Sequence, residues 1–191
     1  MVFKRTILGV SPLIFVTVGS TNFPFDRLFA AVDKSISLLT FKPQVIVQSG
    51  NSHYRWVSTN IKRYTYLDPK DMNRIIKKAN KIITHGGFGT MHAISQYNPS
   101  MSFVVPRLEK YHEQVDDHQK YFLEFVRDKL PQKYHQFFFI EGNLVDAISN
   151  YLSEKSKENV LNTYLFQTKN KEKLTEKLSE WIYSYEGALN S

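Results

Sequence analysis

Three segments of glycine and small polar residues each follow an apolar run of strand length. They are Gly19-Ser20-Thr21-Asn22, Ser49-Gly50-Asn51-Ser52 and His85-Gly86-Gly87-Phe88-Gly89-Thr90, and a helical pattern follows the last of them. Small residues let the backbone approach a ligand closely, and the amides at a helix N-terminus attract phosphate. Together the three segments indicate a nucleotide-phosphate site. The third has neither the P-loop lysine nor the full dinucleotide spacing, which argues against ATPase and NAD-binding functions.

The composition limits what such a site can contain. The chain has 191 residues, of which 42% are hydrophobic, and this is enough for one domain with a sizeable core and excludes a disordered tail. It has no cysteine, which excludes disulfides, thiolate zinc sites and a cysteine nucleophile. An uncrosslinked domain of this size suits a reducing compartment, so we expect a cytoplasmic protein.

Basic residues are concentrated in the first half of the chain. Residues 1–100 carry 13 basic and 4 acidic side chains, residues 101–191 carry 12 and 14, and the net charge is +7. A basic half suits an anionic partner such as nucleic acid, an acidic membrane surface or a phosphorylated ligand. The simpler interpretation is a solvated helix face, for example at Lys77, Lys78 and Lys81. Nucleic-acid binding is disfavoured, because the aromatic residues fall mostly on expected strands and helix faces.

Apolar runs alternate with helical patterns along the chain, which is typical of a parallel sheet flanked by helices. The predicted strands are Leu13–Val18, Val45–Gln48, Tyr64–Leu67, Ile82–Thr84, Phe103–Val105 and Phe137–Ile140. The predicted helices are Phe25–Leu39, Asp71–Ala79, Thr90–Tyr97, Gln114–Leu130 and Leu144–Leu152. In open sheets of this kind the ligand lies at the carboxyl ends of the strands, so the loops after the strands are the expected location of the chemistry.

The N-terminal region has some features of a secretory signal, because Lys4 and Arg5 precede an apolar run from Ile7 to Val18. Pro12 and the strand-like run Leu13 to Val16 instead favour a buried strand that enters a glycine turn. No run approaches the roughly 20 apolar residues that a membrane-spanning helix needs. We therefore expect a soluble protein.

Five segments in this order resemble one family, the family 28 glycosyltransferase C-terminal domain. The segments run from Phe15 to Ser20, Phe25 to Leu28, Ile82 to Thr90, Val104 to Arg107 and Asp117 to Gln119. The resemblance covers roughly residues 13–125, and the order, spacing and strand-end placement match together. The sequence is similar to small catalytic subunits of bacterial capsule and exopolysaccharide glycosyltransferases. It is also similar to the catalytic half of the two-subunit dolichol-pathway N-acetylglucosaminyltransferase.

The resemblance implies an α/β fold, a Rossmann-like parallel sheet flanked by helices that forms the C-terminal, donor-binding half of a GT-B enzyme. Residues 1–152 would form this nucleotide-sugar-binding domain, and residues 153–191 a helical C-terminal extension. The extension repeats apolar residues at helical spacing, namely Leu174, Leu178, Trp181, Ile182 and Tyr185. This stripe either packs back on the domain or docks on a partner subunit.

The resemblance also implies a donor site. The residues it assigns to substrate binding are Gly19, Ser20, Tyr66, Leu67, Gly86, Gly87, Phe88, Gly89, Thr90, Arg107, Glu113, Asp117, His118 and Gln119. The glycine turns and Thr90 would face the diphosphate of a UDP-sugar. Tyr66 and Leu67 would line the uracil pocket, and Gln119 would hydrogen-bond the sugar hydroxyls.

Three of the site positions keep a second interpretation. His118 either contacts the ligand or is a helix residue oriented by Asp117. Glu113 is either a site residue or a solvated loop glutamate. His85 is the candidate catalytic residue on this chain, and it would also suit a strand-end histidine that caps backbone groups. The catalytic base is equally expected on a partner subunit.

One departure from the family pattern concerns the ribose of the donor. Many members place a carboxylate three residues after the loop threonine or serine, where this chain has Met91-His92-Ala93. Either His92 replaces that hydrogen bond or the ribose is held from elsewhere.

The function that the resemblance implies is inverting transfer of a hexose from a UDP-sugar to a lipid-linked saccharide in exopolysaccharide or capsule synthesis. No cofactor and no metal ion are expected, since no Asp-x-Asp motif occurs and Asp116 and Asp117 are adjacent. A membrane-anchored partner subunit would bind the acceptor and hold the protein at the inner face of the cell membrane. The alternative is a non-catalytic nucleotide-sugar-binding subunit that stabilises a partner transferase.

Overall fold

Five parallel strands form one sheet in the computed structural model, which describes residues 11–98 and 102–154. The strands are β1 (Leu13–Thr17), β2 (Gln44–Gln48), β3 (Ile61–Tyr64), β4 (Lys81–His85) and β5 (Ser102–Val105). Their spatial order is β3-β2-β1-β4-β5. Thr17 is in register with both Gln48 and Thr84, so the loops after β1, β2 and β4 begin at one edge of the sheet. We call this edge the carboxyl edge and the opposite one the amino edge.

Helices cover both faces of the sheet. Those of the described residues are α1 (Asp26–Ser37), α2 (Pro69–Lys78), α3 (Phe88–Tyr97), α4 (His118–Asp128) and α5 (Leu144–Ser153). Helix α1 packs against α5, and α2 packs against α3. Right-handed crossovers place α1 and α2 on opposite faces, because the chain moves across the sheet in opposite directions through them. With both faces covered, Ile14, Phe15 and Val16 of β1 are all buried.

Side-chain caps start two of the helices. The Asp68 carboxylate accepts a hydrogen bond from the Asp71 amide at 2.8 Å, and Pro69 occupies the first helical position of α2, where no amide donor is needed. The Asn143 side chain accepts one from the Val145 amide at 3.0 Å at the start of α5. Helix α3 has no side-chain cap, so no side chain of the described residues caps its N-terminal amides at the carboxyl edge.

The core ties α5 to the amino edge. The Tyr151 hydroxyl donates to the Ile82 carbonyl at 3.0 Å and accepts from the Ile82 amide at 2.9 Å. Burial raises the pKa of Tyr151, so the hydroxyl keeps its proton for this pair of bonds. The Tyr151 ring also packs on Phe103 and Phe137. The last described helix is thereby fixed to β4 and β5.

The structure confirms the predicted fold class, an α/β Rossmann-like parallel sheet flanked by helices. Five of the predicted strands occur, with shifted ends. The third was expected at Tyr64–Leu67 but spans Ile61–Tyr64, because β2 ends opposite Tyr64 and offers no further ladder partners. Beyond that point the Thr65 carbonyl accepts from the Gly50 amide at 2.9 Å, within the loops.

The predicted sixth strand at Phe137–Ile140 is wrong. Residues Gln132–Phe137 form a 3-10 helix, and Phe138 makes one isolated bridge to Val104. The Phe139 amide donates to the Val104 carbonyl at 2.8 Å. The apolar run is buried nonetheless, because a short run of this kind suits a buried turn as well as a strand.

Two sequence-based expectations lie outside the described residues. They concern the charged pair Lys4 and Arg5 before the first strand and the apolar stripe between Leu174 and Tyr185. The run that resembled part of a signal sequence supplies β1, the middle strand of the sheet. Across residues 11–98 and 102–154, none of the helices combines the length and hydrophobicity needed to cross a membrane.

Candidate functional site

The loops after β1 and β2 meet closely at the carboxyl edge. The Val18 amide donates to the Gln48 carbonyl at 3.3 Å, and a Cβ placed on Gly50 would lie 3.1 Å from the Gly19 carbonyl oxygen. Gly19 has a φ of +74° and Gly50 a φ of +51°, in the left-handed region that glycine adopts without steric cost. The glycines that the sequence places here allow the two loops to touch.

The His85 imidazole lies between the turn after β1 and the start of α3. A Cβ on Gly19 would be 2.7 Å from its Cε1, and a Cβ on Gly87 would be 2.2 Å from its Nε2. Both distances are shorter than van der Waals contact, so a larger residue at either position would displace the ring. His85 thus joins the first and third glycine segments into one surface.

His85 is held in its neutral form. The residue is 8% exposed, and burial lowers its pKa to about 3, with the positive charge of Arg107 acting in the same direction. The Thr17 carbonyl acts in the opposite direction. Among the described residues, Nδ1 has no hydrogen-bond partner of ordinary geometry. At neutral pH the ring is therefore uncharged and a weak base.

Helix α3 presents its N-terminus at the same edge. A Cβ on Gly89 would meet no atom within 4 Å, so the backbone of the first turn has room for a ligand. The helix dipole and the first-turn amides favour a negative charge there. Phe88 stacks on His92 with ring centroids 6.2 Å apart and meets the Phe122 ring edge-on. Thr90 lies in the same turn, partly buried.

Gln48 organises the loops at this edge and was missed in the sequence. It is buried, and its Oε1 accepts from the Thr17 hydroxyl at 2.7 Å. Its Nε2 donates to the Gly19 carbonyl at 2.7 Å and to the Thr65 carbonyl at 3.1 Å. The available signal is a polar side chain that directly ends an apolar strand and precedes the Ser49-Gly50 turn.

Arg107 is fully buried and bonded to the backbone of two loops. Its terminal nitrogens donate to four carbonyls, those of Val18 at 2.8 Å, Phe23 at 3.0 Å, Pro24 at 2.9 Å and Glu113 at 3.1 Å. Burial lowers the pKa of Arg107 to about 10, against the opposing effect of the Glu113 charge, and the group stays charged at neutral pH. The structure therefore places Arg107 where it fixes the loop between β1 and α1.

Glu113 forms a bidentate ion pair with Arg27 at the start of α1. Arg27 Nε donates to Oε1 at 2.9 Å and Nη2 to Oε2 at 2.8 Å. Oε2 also accepts from the Leu108 amide at 3.1 Å. Glu113 is 3% exposed, so it is not the solvated loop glutamate of the alternative interpretation. Arg27 lies within a segment that carried the family resemblance, but its role as the partner of Glu113 was not foreseen.

Gln119 packs against the third glycine segment from the side of α4. Its Oε1 accepts from the Arg107 amide at 3.2 Å, and a Cβ on Gly86 would be 3.3 Å from that oxygen. With Oε1 engaged in this way, Nε2 is the part of the amide that can donate to a ligand.

The residues just before Gln119 have different partners from those expected. Asp117 accepts from the Glu109 amide at 2.8 Å, and His118 Nδ1 pairs with the Asp116 carboxylate. The interpretation that Asp117 orients His118 is therefore wrong, and Asp116 does so. These contacts hold the segment before His118 in a loop, which explains why α4 does not begin at Gln114.

Tyr66 flanks the glycine turns on the side opposite Gln119. Its hydroxyl donates to Asn51 Oδ1 at 3.0 Å, and Asn51 Nδ2 donates to the Asn22 carbonyl at 3.3 Å. Tyr66 is 51% exposed, while Leu67 packs partly buried against the core. The exposed Tyr66 ring, beside the loops after β1 and β2, provides a flat apolar surface.

The site therefore consists of a surface of glycine turns held by buried polar side chains. Gly19, His85, Gly86 and Gly87 form the surface, and Ser20 is exposed beside it. Across the part of the chain that the structure describes, no three His, Asp or Glu side chains gather as a metal-ion site.

Comparison with known proteins gives one family match. The model of the glycosyltransferase family 28 C-terminal domain matches residues 13–178, which is most of the chain. No curated protein matches the sequence. One matching solved structure is described as "Crystal Structure Analysis of the Glycotransferase of kitacinnamycin", with 17% identity and a TM-score of 0.41. That match covers 55% of this chain and 26% of the other, so this chain spans about a quarter of that protein's length.

Proposed function

Since this chain belongs to the family of the glycosyltransferase family 28 C-terminal domain, we propose that it is the donor-binding subunit of a UDP-sugar-dependent, inverting glycosyltransferase. It transfers a hexose to a lipid-linked saccharide in exopolysaccharide or capsule synthesis, together with a membrane-anchored partner. The observation that carries the proposal is the contact of His85 with both Gly19 and Gly87. This contact joins two glycine turns and a helix N-terminus into one surface of backbone amides, which suits a diphosphate.

The donor lies across this surface in the proposed complex. Its diphosphate faces the turns at Gly19 and Gly87 and the first turn of α3. The uracil lies against Tyr66, and the hexose receives a hydrogen bond from Gln119 Nε2, the donor that the Arg107 contact leaves available. Each part of the ligand thus meets a group of matching chemistry.

The transfer needs a proton acceptor as well as a leaving-group site. The acceptor hydroxyl oxygen attacks the anomeric carbon while the bond from that carbon to UDP breaks, so the configuration inverts. The hydroxyl proton passes to a general base, and UDP departs with a negative charge that amides stabilise. Because the pKa of His85 is about 3, we assign the base to the partner subunit. His85 then serves to hold the two glycine turns.

The donor specificity is tested by calorimetric titration. The chain is titrated with UDP, UDP-glucose, UDP-galactose, UDP-N-acetylglucosamine and UDP-glucuronate, with and without a co-expressed membrane partner. We expect UDP to bind and one UDP-sugar to bind more tightly than the others. Absence of UDP binding in both preparations would contradict the proposed function.

The need for a partner is tested by transfer to a short-lipid saccharide acceptor. The purified chain should be nearly inactive alone and active after membranes that contain the partner are added, because the chain matches a C-terminal domain and the proposal gives it the donor site alone. Positioning of the acceptor hydroxyl by the partner supplies much of the rate enhancement. Full turnover by the isolated chain would contradict the two-subunit arrangement.

The variant Gln119→Glu tests whether the protein is a catalytic subunit or a subunit that only binds nucleotide sugar. The variant keeps an oxygen for the Arg107 amide and loses the Nε2 donor. We expect lost turnover with assembly intact, whereas the exposed control Gln132→Glu should behave as wild type. Unchanged turnover in Gln119→Glu would favour the non-catalytic alternative.

Metal independence is a separate part of the proposal. The departing diphosphate is stabilised by amides and the α3 dipole, so activity should survive EDTA. Strict dependence on manganese or magnesium would contradict this mechanism.

A further inference from the structure

Gln48 ends β2 at the carboxyl edge, between β1 and β3, and contacts the loops that follow both of these strands. Its Nε2 donates to the carbonyls of Gly19 at 2.7 Å and Thr65 at 3.1 Å. Its Oε1 accepts from the Thr17 hydroxyl at 2.7 Å. Because carbonyl oxygens can only accept, the amide must present its nitrogen to them. The orientation of the side chain is thereby fixed.

The two carbonyls do not depend equally on Gln48. The Thr65 carbonyl also accepts from the Gly50 amide at 2.9 Å. Within the described residues, Gln48 is the only hydrogen-bond donor to the Gly19 carbonyl. Loss of the Gln48 amide would therefore release the Gly19 peptide, while the segment that leads to Tyr66 stays attached.

The direction of the Gly19 carbonyl determines the direction of the next amide. In a trans peptide the C=O and N–H bonds point in opposite directions. The Gly19 carbonyl points toward β2, so the Ser20 amide points to the other side of β1, where β4 and His85 lie. That amide makes no hydrogen bond to the described part of the chain.

We propose that Gln48 is a positioning residue that turns the Gly19–Ser20 peptide so that the Ser20 amide donates to a phosphate oxygen of the bound nucleotide. The inference rests on the proposed function, because it needs a diphosphate beside His85. Gln48 acts without touching the ligand. Its Nε2 group holds the Gly19 carbonyl toward β2, and the Ser20 amide of the same peptide therefore faces outward. An amide that donates to a charged oxygen forms a strong hydrogen bond.

Gln48→Met tests this role because methionine keeps the length of the side chain and removes its hydrogen-bonding groups. The full chain is titrated with UDP and with uridine by ligand-observed NMR. UDP affinity should fall about ten-fold or more, since one hydrogen bond to a charged group is lost. Uridine affinity should change less than about two-fold. Thr17→Val, which frees only Oε1, should reduce UDP affinity by about three-fold.

Asn98 provides a matched control at the amino edge. It is also a buried amide, and its Nδ2 donates to the carbonyls of Ile76 and Ala79. Asn98→Leu should lower the melting temperature as Gln48→Met does, because buried carbonyls lose a donor in both variants. The ratio of UDP to uridine affinity should stay at the wild-type value in Asn98→Leu.

A direct measurement is the Ser20 amide resonance in ¹⁵N-labelled protein. It should shift on addition of UDP in the wild type and much less in Gln48→Met. Unchanged UDP affinity in Gln48→Met, or equal losses for UDP and uridine, would overturn the positioning role. Failure of the wild type to bind UDP would overturn the proposed function itself and this inference with it.

Discussion

At the carboxyl edge, the buried side chains of Gln48, His85 and Arg107 contact the backbone of the loops that follow the strands. At the amino edge, a cavity of about 500 Å³ lies between the end of α1 and the chain before β3. Its lining includes Phe41 and Val57, and both are exposed. A second cavity of about 490 Å³ is lined in part by Leu108 and Asp117, beside the start of α4. Open space therefore occurs near both edges, and the buried polar contacts to the backbone are what distinguish the carboxyl edge.

The comparison shows that the volume of a cavity does not locate the site. Buried polar groups cost free energy unless they are bonded, and the carboxyl edge keeps several of them to fix loop shape. The amino-edge cavity has one such group, Asp33, which accepts from Tyr54, Val57 and Ser58. Burial raises the pKa of Asp33, but these hydrogen bonds outweigh burial and leave it lowered. Both carboxylate oxygens of Asp33 are therefore engaged in holding the loop at residues 54–58, and neither is available to a ligand.

The largest expected effect is that of Arg107→Met. The variant leaves the carbonyls of Val18, Phe23, Pro24 and Glu113 without their donor. Each buried acceptor left unsatisfied costs about 1–3 kcal/mol, so the total cost should be at least about 4 kcal/mol. The free energy of unfolding, measured in urea, should fall by this amount. The exposed Arg74, paired with Asp71, is the control, and Arg74→Met should cost less than about 1 kcal/mol. Similar losses of unfolding free energy in both variants would contradict the idea that Arg107 at the carboxyl edge stabilises the fold more than an exposed arginine does.

Next in size is the difference between Gly87→Ala and Gly89→Ala. The new Cβ at position 87 collides with His85, and overpacking of this kind costs about 1–3 kcal/mol. At position 89 it meets nothing, and alanine in a helix favours stability by about 0.5–1 kcal/mol. Denaturation curves and UDP titrations of both variants test this. In the double variant His85→Ala/Gly87→Ala the collision should disappear. If Gly87→Ala lowers the free energy of unfolding equally in the wild type and in His85→Ala, the contact between Gly87 and the His85 ring would be contradicted.

The pH dependence of stability should reveal His85. Its folded pKa of about 3 lies below the ordinary 6.5, so the unfolded chain binds one proton more between these values. Stability is therefore complete above about pH 6.5 and falls as the pH drops toward 3, by about 1.4 kcal/mol per pH unit. His85→Asn should lose this part of the slope between pH 7 and 4.5. An identical slope in the variant would show that the buried ring does not stay neutral.

The smallest effect is expected at the amino-edge cavity. Val57 is 84% exposed, so Val57→Ser should change the free energy of unfolding by less than about 0.5 kcal/mol. UDP affinity should be unchanged, because the residue lies at the edge away from the glycine turns. A clear loss of UDP binding in this variant would show that the amino-edge cavity affects the nucleotide site, contrary to this comparison.

The sheet was predictable because a parallel sheet covered on both faces leaves continuous apolar runs in the sequence. The runs at Leu13–Val16 and Ile82–Thr84 are of this kind. Parallel pairing then requires the turns after them to meet at one edge, which made the glycine surface predictable as well. The sequence did not distinguish Gly87 from Gly89, since only the folded chain places His85 against one of them.

Element ends and polar partners were not predictable, because distant residues determine them. Glu113 is held by Arg27, and Asp117 by the Glu109 amide, so the helix expected from Gln114 begins later. Gln48 gains its role from loops on two neighbouring strands. Local periodicity carries no information about such contacts.

The contacts of Arg107 also have a consequence for folding order. Its partners Val18, Phe23 and Pro24 precede it by 83 to 89 positions in the chain. Contacts of such separation form late, since loop closure must come before them. During synthesis on the ribosome, the loop after β1 therefore cannot form its bonds to Arg107 until residue 107 has emerged. The residues of that loop are synthesised long before this. The earliest part of the binding surface to be made is thus among the last to take its final shape.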